Sequence, residues 1–328
     1  MSAGEPLLSV KDLKVHFPVR GGLLGASKSL KAVDGVSFDV YPGETLGIVG
    51  ESGSGKSTIG RAVLQLIKPT AGRVAWLGKN IAGNTRRQMK PFRREMQIVF
   101  QDPLASLNPR MTAGDIIAEP LDTFEPGLAP AERKRRVQEI MDKVGLLPLM
   151  INRYPHEFSG GQNQRIGIAR AMILKPKLIV ADEPVSSLDV SIRAQIINLL
   201  ADLQKEMGVA LIFISHDLAV VRHVSHRVLV LYLGKVMELA EAGVLLSRPR
   251  HPYTQALLSA APIPDPAVER GKKRLLIEGD LPSPMNPPSG CVFRTRCPIA
   301  QAKCAKEVPA LEPRGGAANH VVACHFPS

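Results

Sequence analysis

Cysteine is almost absent from this chain. Its 328 residues include four cysteines, and none of them precedes position 291. Aromatic residues are scarce as well, at 4% of the sequence, whereas hydrophobic residues as a whole make up 45%. This is the composition of an ordinary globular protein whose core is built mainly from aliphatic side chains. The length allows one large domain, or one domain with a smaller appendage.

Long apolar segments are also missing. No run of about 18 uncharged apolar residues occurs, so the sequence predicts no membrane-spanning helix. The first residues, MSAGEPLLSVKDLKVHF, include acidic residues and lack an apolar signal core, so we expect no export signal. These absences predict a cytosolic location, in which disulfides are disfavoured.

Acidic residues are outnumbered by basic ones. The sequence has 42 Lys and Arg against 30 Asp and Glu, which gives a formal charge of +12. Such an excess suits nucleic acid, an anionic membrane surface or phosphorylated ligands. The basic residues are scattered in small groups diluted by acids, such as RKRR at Arg133–Arg136. A solvated surface is therefore an equally good interpretation of the charge.

Strand-like and helix-like patterns alternate through most of the chain. The strand-like segments are Val36–Val40, Thr45–Gly50, Gln97–Phe100, Lys177–Asp182, Ala210–Ser215 and Arg227–Leu233. The helical patterns are Lys56–Ile67, Ala131–Val144, Gln162–Leu174 and Ser191–Met207. This alternation predicts an α/β domain with a mostly parallel sheet covered on both faces.

The composition and periodicity of the sequence change beyond Ser247. Proline becomes frequent, as in LPSPMNPP, and regular periodicity disappears. We therefore expect a main domain over 1–247 and a small loop-rich extension over 248–328. A segment with so little core of its own usually needs a cross-link, such as a disulfide or a bound metal, as a staple that stabilises it.

The stretch GESGSGKST, Gly50–Thr58, follows a predicted strand and opens a predicted helix. It matches the phosphate-loop pattern G-x-x-x-x-G-K-[ST], whose glycines let backbone N–H groups and a helix N-terminus face phosphates. Lys56 is expected to reach the β- and γ-phosphates of a nucleotide, and the Ser57 hydroxyl to ligate Mg²⁺. The candidate ATP-binding residues here are Gly50, Ser52, Gly53, Gly55, Lys56, Ser57 and Thr58.

Two consecutive acids mark the end of the predicted strand LIVAD: its last residue, Asp182, and the next residue, Glu183. Asp182 would lie at the carboxyl edge of the sheet, where ligands bind in such folds, and is expected to hold Mg²⁺. Glu183, the next residue, points elsewhere and is the candidate general base that accepts a proton from an attacking water.

The stretch FSGGQNQR, Phe158–Arg165, precedes the acidic strand by about twenty residues. Here the chain resembles the ATP-binding subunits of ABC transporters, whose signature is usually LSGGQ; Phe158 replaces the leucine. The resemblance assigns Ser159, Gly160, Gly161 and Gln162 to ATP binding and implies a helical subdomain over about 103–175.

The resemblance extends to four further positions. It implies that Gln101, in IVFQDP, senses Mg²⁺ and contacts a membrane subunit, and that Asp189 belongs to the loop after the acidic strand. It also implies that His216 contacts the γ-phosphate and that Phe17 stacks on adenine. In this family two ATPase domains pack head to tail, each ATP lying between one phosphate loop and the other chain's signature. With one of each, this chain is expected to need a second ATPase.

Two classes of ABC protein compete. Nucleic-acid-associated members fit the positive charge, but the repair and chromosome-organising types carry long insertions, and the ribosome-associated type has two ATPase domains. Only about a hundred residues separate Lys56 from Ser159, and there is one ATPase unit. The sequence therefore favours a transporter ATPase without a nucleic-acid partner.

The C-terminal extension indicates which class of transporter ATPase the chain resembles. RHPYTQALLSA, Arg250–Ala260, and LPSPMNPPSGCVFRTRCP resemble the C-terminal extension of ATPases that serve dipeptide, oligopeptide and nickel importers, and most of all the F-type subunit of peptide permeases. The resemblance implies a homologous second ATPase subunit, two membrane permease subunits and an extracytoplasmic binding protein. It places the chain on the cytoplasmic face of the bacterial inner membrane. The cargo stays open among dipeptide, oligopeptide, nickel and glutathione.

All four cysteines, namely Cys291, Cys297, Cys304 and Cys324, fall in this extension. Inert buried thiols, zinc and an iron–sulfur cluster are all possible, since four thiolates can hold either metal centre. The gaps of five, six and nineteen residues match neither tight zinc pairs nor a ferredoxin pattern. The resemblance to peptide-importer ATPases implies a [4Fe–4S] cluster as the staple, with zinc as the alternative and His325 as a less favoured ligand.

Overall fold

A computed structural model describes residues 4–19, 28–261, 275, 277–313 and 319–327. Its strands are β1 (Leu8–Val19), β2 (Lys28–Val40), β3 (Thr45–Val49), β4 (Ala71–Trp76), β5 (Lys79–Asn80), β6 (Met96–Val99), β7 (Leu178–Asp182), β8 (Ala210–Ile214), β9 (Arg227–Tyr232), β10 (Lys235–Glu241), β11 (Glu312–Pro313) and β12 (Val321–Val322). Its α-helices are α1 (Lys56–Val63), α2 (Arg86–Glu95), α3 (Pro103–Ser106), α4 (Ala113–Phe124), α5 (Pro130–Lys143), α6 (Gly160–Met172), α7 (Val190–Met207), α8 (Leu218–Val224), α9 (Ala242–Ser247), α10 (Pro252–Ala260) and α11 (Ala302–Lys306). They form two compact units.

The first unit comprises residues 1–40, 45–83 and 215–328. One of its sheets is antiparallel, with strand order β2-β1-β4-β5. In β1 and β2 apolar residues partly alternate with polar ones, and the apolar members, such as Val10, Leu13 and Phe38, are buried. This is the pattern of a sheet with one face on a core and one toward solvent.

The first unit also contains the strand that precedes the phosphate loop. Every residue of β3 is buried, and β3 pairs in parallel with β9. Antiparallel pairing then continues from β9 to β10, from β10 to β12 and from β12 to β11. The C-terminal extension therefore adds its two short strands to the strands beside the phosphate loop.

The second unit comprises residues 41–44 and 84–214. Its strands β8, β7 and β6 pair in parallel in that order, and all residues of β7 and β8 are buried. Apolar runs without alternation are typical of such strands. Helices α4, α5 and α6 contact one another and form the helical part of this unit.

The predicted strands and helices all occur, with ends that shift by a few residues; the strand predicted at Val36–Val40 is the end of β2, which begins at Lys28. The largest shift at a helix end is in α1, because the helical pattern extends to Ile67 whereas the helix ends at Val63. Gln65 adopts a left-handed backbone with φ of +52°, which stops the helix, and Leu66 is exposed. The pattern beyond Val63 was not helical periodicity.

None of the helices among the described residues is both long enough and apolar enough to cross a membrane.

Candidate functional site

The phosphate loop joins buried strand β3 to helix α1, and two of its glycines make close backbone approaches. A Cβ on Gly50 would lie 2.1 Å from the carbonyl oxygen of Leu231, and one on Gly55 would lie 2.2 Å from that of Ala32. Gly55 also has φ of +105° as the residue before α1. No other residue fits at these two positions without moving backbone, which is the physical reason for the glycine pattern.

The Lys56 side chain bonds back to the first two residues of the loop. Its side chain is buried, and its ammonium group donates to the carbonyl oxygens of Gly50 (2.8 Å) and Glu51 (2.9 Å). Ser52 and Gly53 are exposed at the tip of the loop, whereas Ser57 and Thr58 are half-buried in the first turn of α1. The structure therefore brings together all seven predicted phosphate-loop residues in one compact turn.

The two acids predicted at the end of a strand are found at the end of β7, in the second unit. Asp182 is only 1% exposed. Glu183 is half-buried and has φ of +46°, an uncommon conformation for a residue with a side chain. Its backbone N–H donates to the carbonyl of Ile214 on β8, at 3.0 Å. Strained backbone of this kind is concentrated at functional sites.

Gln101 follows β6, the neighbouring parallel strand, and reaches the second acid. Its side-chain amide donates to the carboxylate of Glu183, with an Nε2–Oε2 distance of 3.3 Å. The sequence identified both residues but not this contact. The amide restrains the orientation of the one carboxylate predicted to act as a base.

The signature begins helix α6. The Ser159 hydroxyl accepts from the backbone N–H of Gln162, and the Gln162 side chain accepts from the N–H of Ser159, which is a complete capping box. Phe158, which replaces the usual leucine, is buried. Gly160 lies in the first turn, and Gly161 packs so closely on α7 that a Cβ would lie 2.4 Å from Ile192 Cγ2.

The remaining predicted residues lie in separate places. Asp189 is exposed at the residue before α7. His216 is exposed in the first unit, directly after Ser215, whose N–H donates to the carbonyl of Ile48 on β3 at 3.1 Å. Phe17, 37% exposed, lies on β1 opposite Leu30.

The four cysteines lie in the first unit and are not joined by disulfides. Burial raises the pKa of Cys291 to about 11, and repulsion from each of the other three, when ionised, contributes to that shift. Burial also raises the pKa of Cys297. Across the described residues, no group of three or more His, Cys, Asp or Glu is placed to hold a metal ion.

The charges around the cysteines have partners of their own. Arg294 donates to the carbonyl and hydroxyl oxygens of Ser289. Arg296 forms an ion pair with Glu51 of the phosphate loop, at 2.9 Å. Sequence alone does not reveal this contact, because 245 positions separate the two residues. His325, the less favoured ligand, lies 3.0 Å from a backbone carbonyl through Nε2.

Comparison with protein families gives two matches. Residues 33–186 match the model described as "ABC transporter". Residues 237–304 match the model described as "Oligopeptide/dipeptide transporter, C-terminal region". The first match includes the phosphate loop, the signature and both acids, and the second includes three of the four cysteines.

Curated proteins and solved structures agree with this. The oligopeptide transport ATP-binding protein OppF of Salmonella typhimurium is 61% identical over 321 residues, which are 97% of this chain and 95% of that protein. OppF of Haemophilus influenzae is 58% identical over 323 residues, covering 98% and 97%. A dimeric ATP-binding cassette in a post-hydrolysis state, bound to ADP and Pi, has a TM-score of 0.65 and 30% identity over 72% of this chain and 98% of its own. The α/β cassette fold and the transporter class predicted from the sequence are thus confirmed, and the chain belongs to the ATP-hydrolysing subunits of the oligopeptide ABC transporters.

Proposed function

We propose that this chain hydrolyses ATP to power the uptake of oligopeptides through an ABC importer. The observation that carries the proposal is similarity along the whole chain: identity to an oligopeptide transport subunit extends over 97% of it and includes the extension beyond the cassette. Dipeptides belong to the same proposed cargo class, and nickel or glutathione is the alternative cargo.

The chain's own residues divide the work of hydrolysis. Lys56 and the amides of the Gly50–Thr58 loop bind the phosphates, and Glu183, oriented by Gln101, accepts the proton of the attacking water. Ser57, Gln101 and Asp182 offer a hydroxyl, an amide and a carboxylate, the oxygen ligands that Mg²⁺ prefers. When bound, Mg²⁺ neutralises phosphate charge. The roles of His216, Asp189, Phe17 and the signature come from the family resemblance.

The partners follow from the family resemblance, and the single phosphate loop and single signature add the need for a second ATPase. A homologous second ATPase subunit completes the ATP sites, two permease subunits form the membrane path, and an extracytoplasmic binding protein delivers the cargo. The chain then works at the cytoplasmic face of the inner membrane as a peripheral subunit. The presence of both resembling segments, cassette and extension, supports this assembly.

A nucleic-acid partner has less support. The three arginines of the basic group on α5 are paired with acids of their own unit: Arg133 with Asp122 (2.8 Å), Arg135 with Glu132 (2.6 Å) and Arg136 with Glu125 (2.5 Å). Arginines that are already paired offer less attraction to phosphates.

The four cysteines are proposed to hold a [4Fe–4S] cluster, with zinc as the alternative. The resemblance of the extension to those of peptide-importer ATPases supports this proposal, since four thiolates are the donor set that such a cluster takes. Binding would draw the four cysteines together, because the described residues do not hold them in a metal-binding arrangement. Anaerobic purification followed by iron, zinc and sulfide analysis and visible absorption tests this. Stoichiometric zinc in a colourless protein, with negligible iron, would contradict the cluster.

The function itself is tested in proteoliposomes that contain the complete importer with its binding protein. We expect ATP-dependent accumulation of a labelled oligopeptide, and none when Lys56→Ala replaces the wild-type chain. Labelled nickel and glutathione, presented with the same components, are the comparison cargoes. Accumulation of nickel or glutathione without the peptide would contradict the proposed cargo.

A further inference from the structure

The second residue of the phosphate loop is held by the C-terminal extension at two points. The backbone N–H of Glu51 donates to the hydroxyl oxygen of Tyr253, at 2.9 Å. The carboxylate of Glu51 accepts from a single guanidinium nitrogen of Arg296, at 2.9 Å and 3.2 Å. The contacts join positions 202 and 245 residues apart, and all three residues belong to the first compact unit.

Tyr253 is placed firmly enough to act as a support. It is fully buried at the start of α10, where its N–H donates to the His251 ring at 3.0 Å. Its ring meets Tyr232 and Phe293 edge-on or tilted, with centroid distances of 4.8 Å and 5.3 Å. Burial raises the pKa of Tyr253, so its hydroxyl stays neutral and accepts from Glu51. Such aromatic clusters fix side-chain positions well.

Arg296 is placed by the same cluster. Its guanidinium lies 5.9 Å from the ring centroid of Tyr232, and one nitrogen is 3.4 Å from that hydroxyl. The Arg296 side chain is only 11% exposed, against 27% for Glu51, so water screens this ion pair less than an ordinary surface pair. Arg296 is the residue before Cys297, which links the cysteine segment to the phosphate loop.

Glu51 is thus fixed at all three of its polar groups. Its N–H bonds to Tyr253, its carboxylate to Arg296, and its carbonyl to the ammonium of Lys56 at 2.9 Å. Gly50, on its other side, lies against the backbone of Leu231. The loop that receives the phosphates therefore takes its shape partly from residues outside the cassette.

We infer that Tyr253 and Arg296 are positioning residues, through which the C-terminal extension sets the conformation of the phosphate loop and hence its affinity for nucleotide. This inference rests on the proposed binding of nucleotide at Gly50–Thr58. Because coupling between two sites is reciprocal, nucleotide bound at the loop should in turn stabilise the extension around Arg296.

The test measures binding of MgADP, which is not hydrolysed, to the full-length chain by calorimetry. Arg296→Ala is expected to raise the Kd about tenfold and Tyr253→Phe about threefold, as expected for loss of a charge-assisted and a neutral hydrogen bond. Arg296→Lys, which keeps the charge, should recover part of the affinity. The double variant Glu51→Ala/Arg296→Ala should bind MgADP no more weakly than either single variant, because the two changes remove the same interaction.

Arg294→Ala is the matched control, since Arg294 bonds only within the extension in the contacts described for it, and its Kd should stay within about twofold of the wild type. Hydrogen exchange supplies a second readout. The Arg296 amide, bonded to the carbonyl of Phe293, should exchange more slowly with MgADP in the wild type and in Arg294→Ala. In Arg296→Ala the same backbone amide should lose that protection.

The outcomes separate the two claims. Lys56→Ala should bind MgADP far more weakly; if it binds like the wild type, the proposed nucleotide site is wrong. If Lys56→Ala loses binding while Arg296→Lys, Arg296→Ala and Tyr253→Phe match the wild type, the positioning role is wrong and the nucleotide site stands. If Arg296→Ala does not fold, Tyr253→Phe and Arg296→Lys decide, and unchanged Kd and exchange in both overturn the inference.

Discussion

Glu183 combines two features of a catalytic carboxylate. It directly follows buried strand β7 with φ of +46°, and its side chain accepts from the Gln101 amide at 3.3 Å. The uncommon backbone conformation and the Gln101 contact both restrict the orientation of the carboxylate. A general base needs such a fixed orientation to accept a proton from the water that attacks the phosphate.

We predict that Glu183→Gln lowers ATP turnover by about 10²–10⁴-fold, because the amide cannot accept the proton. MgADP binding should be unchanged, because Lys56 and the loop amides remain. Turnover is measured as phosphate release from the assembled importer. Glu206→Gln, at a surface acid that pairs with Lys143, is the control and should keep full turnover. Turnover by Glu183→Gln at the wild-type rate would show that another group is the base.

The sequence predicted single residues better than their contacts. Gly50–Thr58, Asp182 and Glu183 could be proposed from sequence as site residues because local chemistry sets their spacing. The bonds from Tyr253 and Arg296 to Glu51 could not, because they depend on how the chain folds back over 202 and 245 positions. Arg296 lies one residue before Cys297 and 245 positions from Glu51, so nothing in the sequence links it to the phosphate loop.

Among the elements, the C-terminal extension departs most from expectation. Its proline-rich sequence predicted a segment with little core, yet Tyr253 and Phe293 are fully buried and pack on Tyr232 of β9. A core shared with a distant strand leaves no periodic pattern in either segment. By contrast, β3, β7, β8 and β9 were found from sequence because buried parallel strands read as unbroken apolar runs.

A buried carboxylate anchors the extension to β10. Glu238 is 0% exposed and accepts from the backbone of Arg250 and His251, and His320 lies 2.6 Å from it at 3% exposure. We predict that His320→Ala lowers the opening free energy of β12 by about 1–3 kcal/mol, because one partner of a buried polar group is lost. The faster exchange of the Val322 amide measures this.

The control for this prediction is His325→Ala. This ring is half-buried, bonds to a backbone carbonyl outside β12 and lies against the Phe326 ring, so its loss should change the exchange of β12 little. Equal exchange rates in the His320 variant and the wild type would mean that the buried pair does not anchor the strand.

The contact of α6 with α7 gives a prediction about packing. Gly161→Ala would put a Cβ 2.4 Å from Ile192 Cγ2, so we expect a loss of about 1–3 kcal/mol, read as a lower Tm. Adding Ile192→Ala removes that methyl and leaves the nearest side-chain carbon, Cβ, at 3.8 Å. The double variant should therefore lose less stability than the sum of the losses in the two single variants.

Gly167→Ala is the matched control on the same helix. A Cβ there meets nothing within 4 Å, and alanine favours helix over glycine, so the Tm should rise slightly. Strict additivity of Gly161→Ala and Ile192→Ala would show that the helices do not meet there.

For the whole molecule, one phosphate loop and one signature predict that two ATPase subunits work as a pair. The resemblance to one subunit of a two-ATPase importer predicts that the second is a different, homologous chain. We expect the chain alone, reconstituted with the permease subunits and binding protein, to show at most weak substrate-stimulated ATPase. Addition of the homologous subunit should restore it. Full stimulated activity without that subunit would mean that two copies of this chain suffice.

The bonds from Tyr253 and Arg296 to Glu51 also bear on modularity. A cassette is usually regarded as an interchangeable part that can be exchanged between transporters, and the sequence predicts that it ends near residue 247 here. In this protein such a cut would separate the phosphate loop from two groups that hold it. A transplanted cassette would therefore need a recipient that supplies a buried hydroxyl and a guanidinium at the same places, so cassette and extension should be exchanged as one piece.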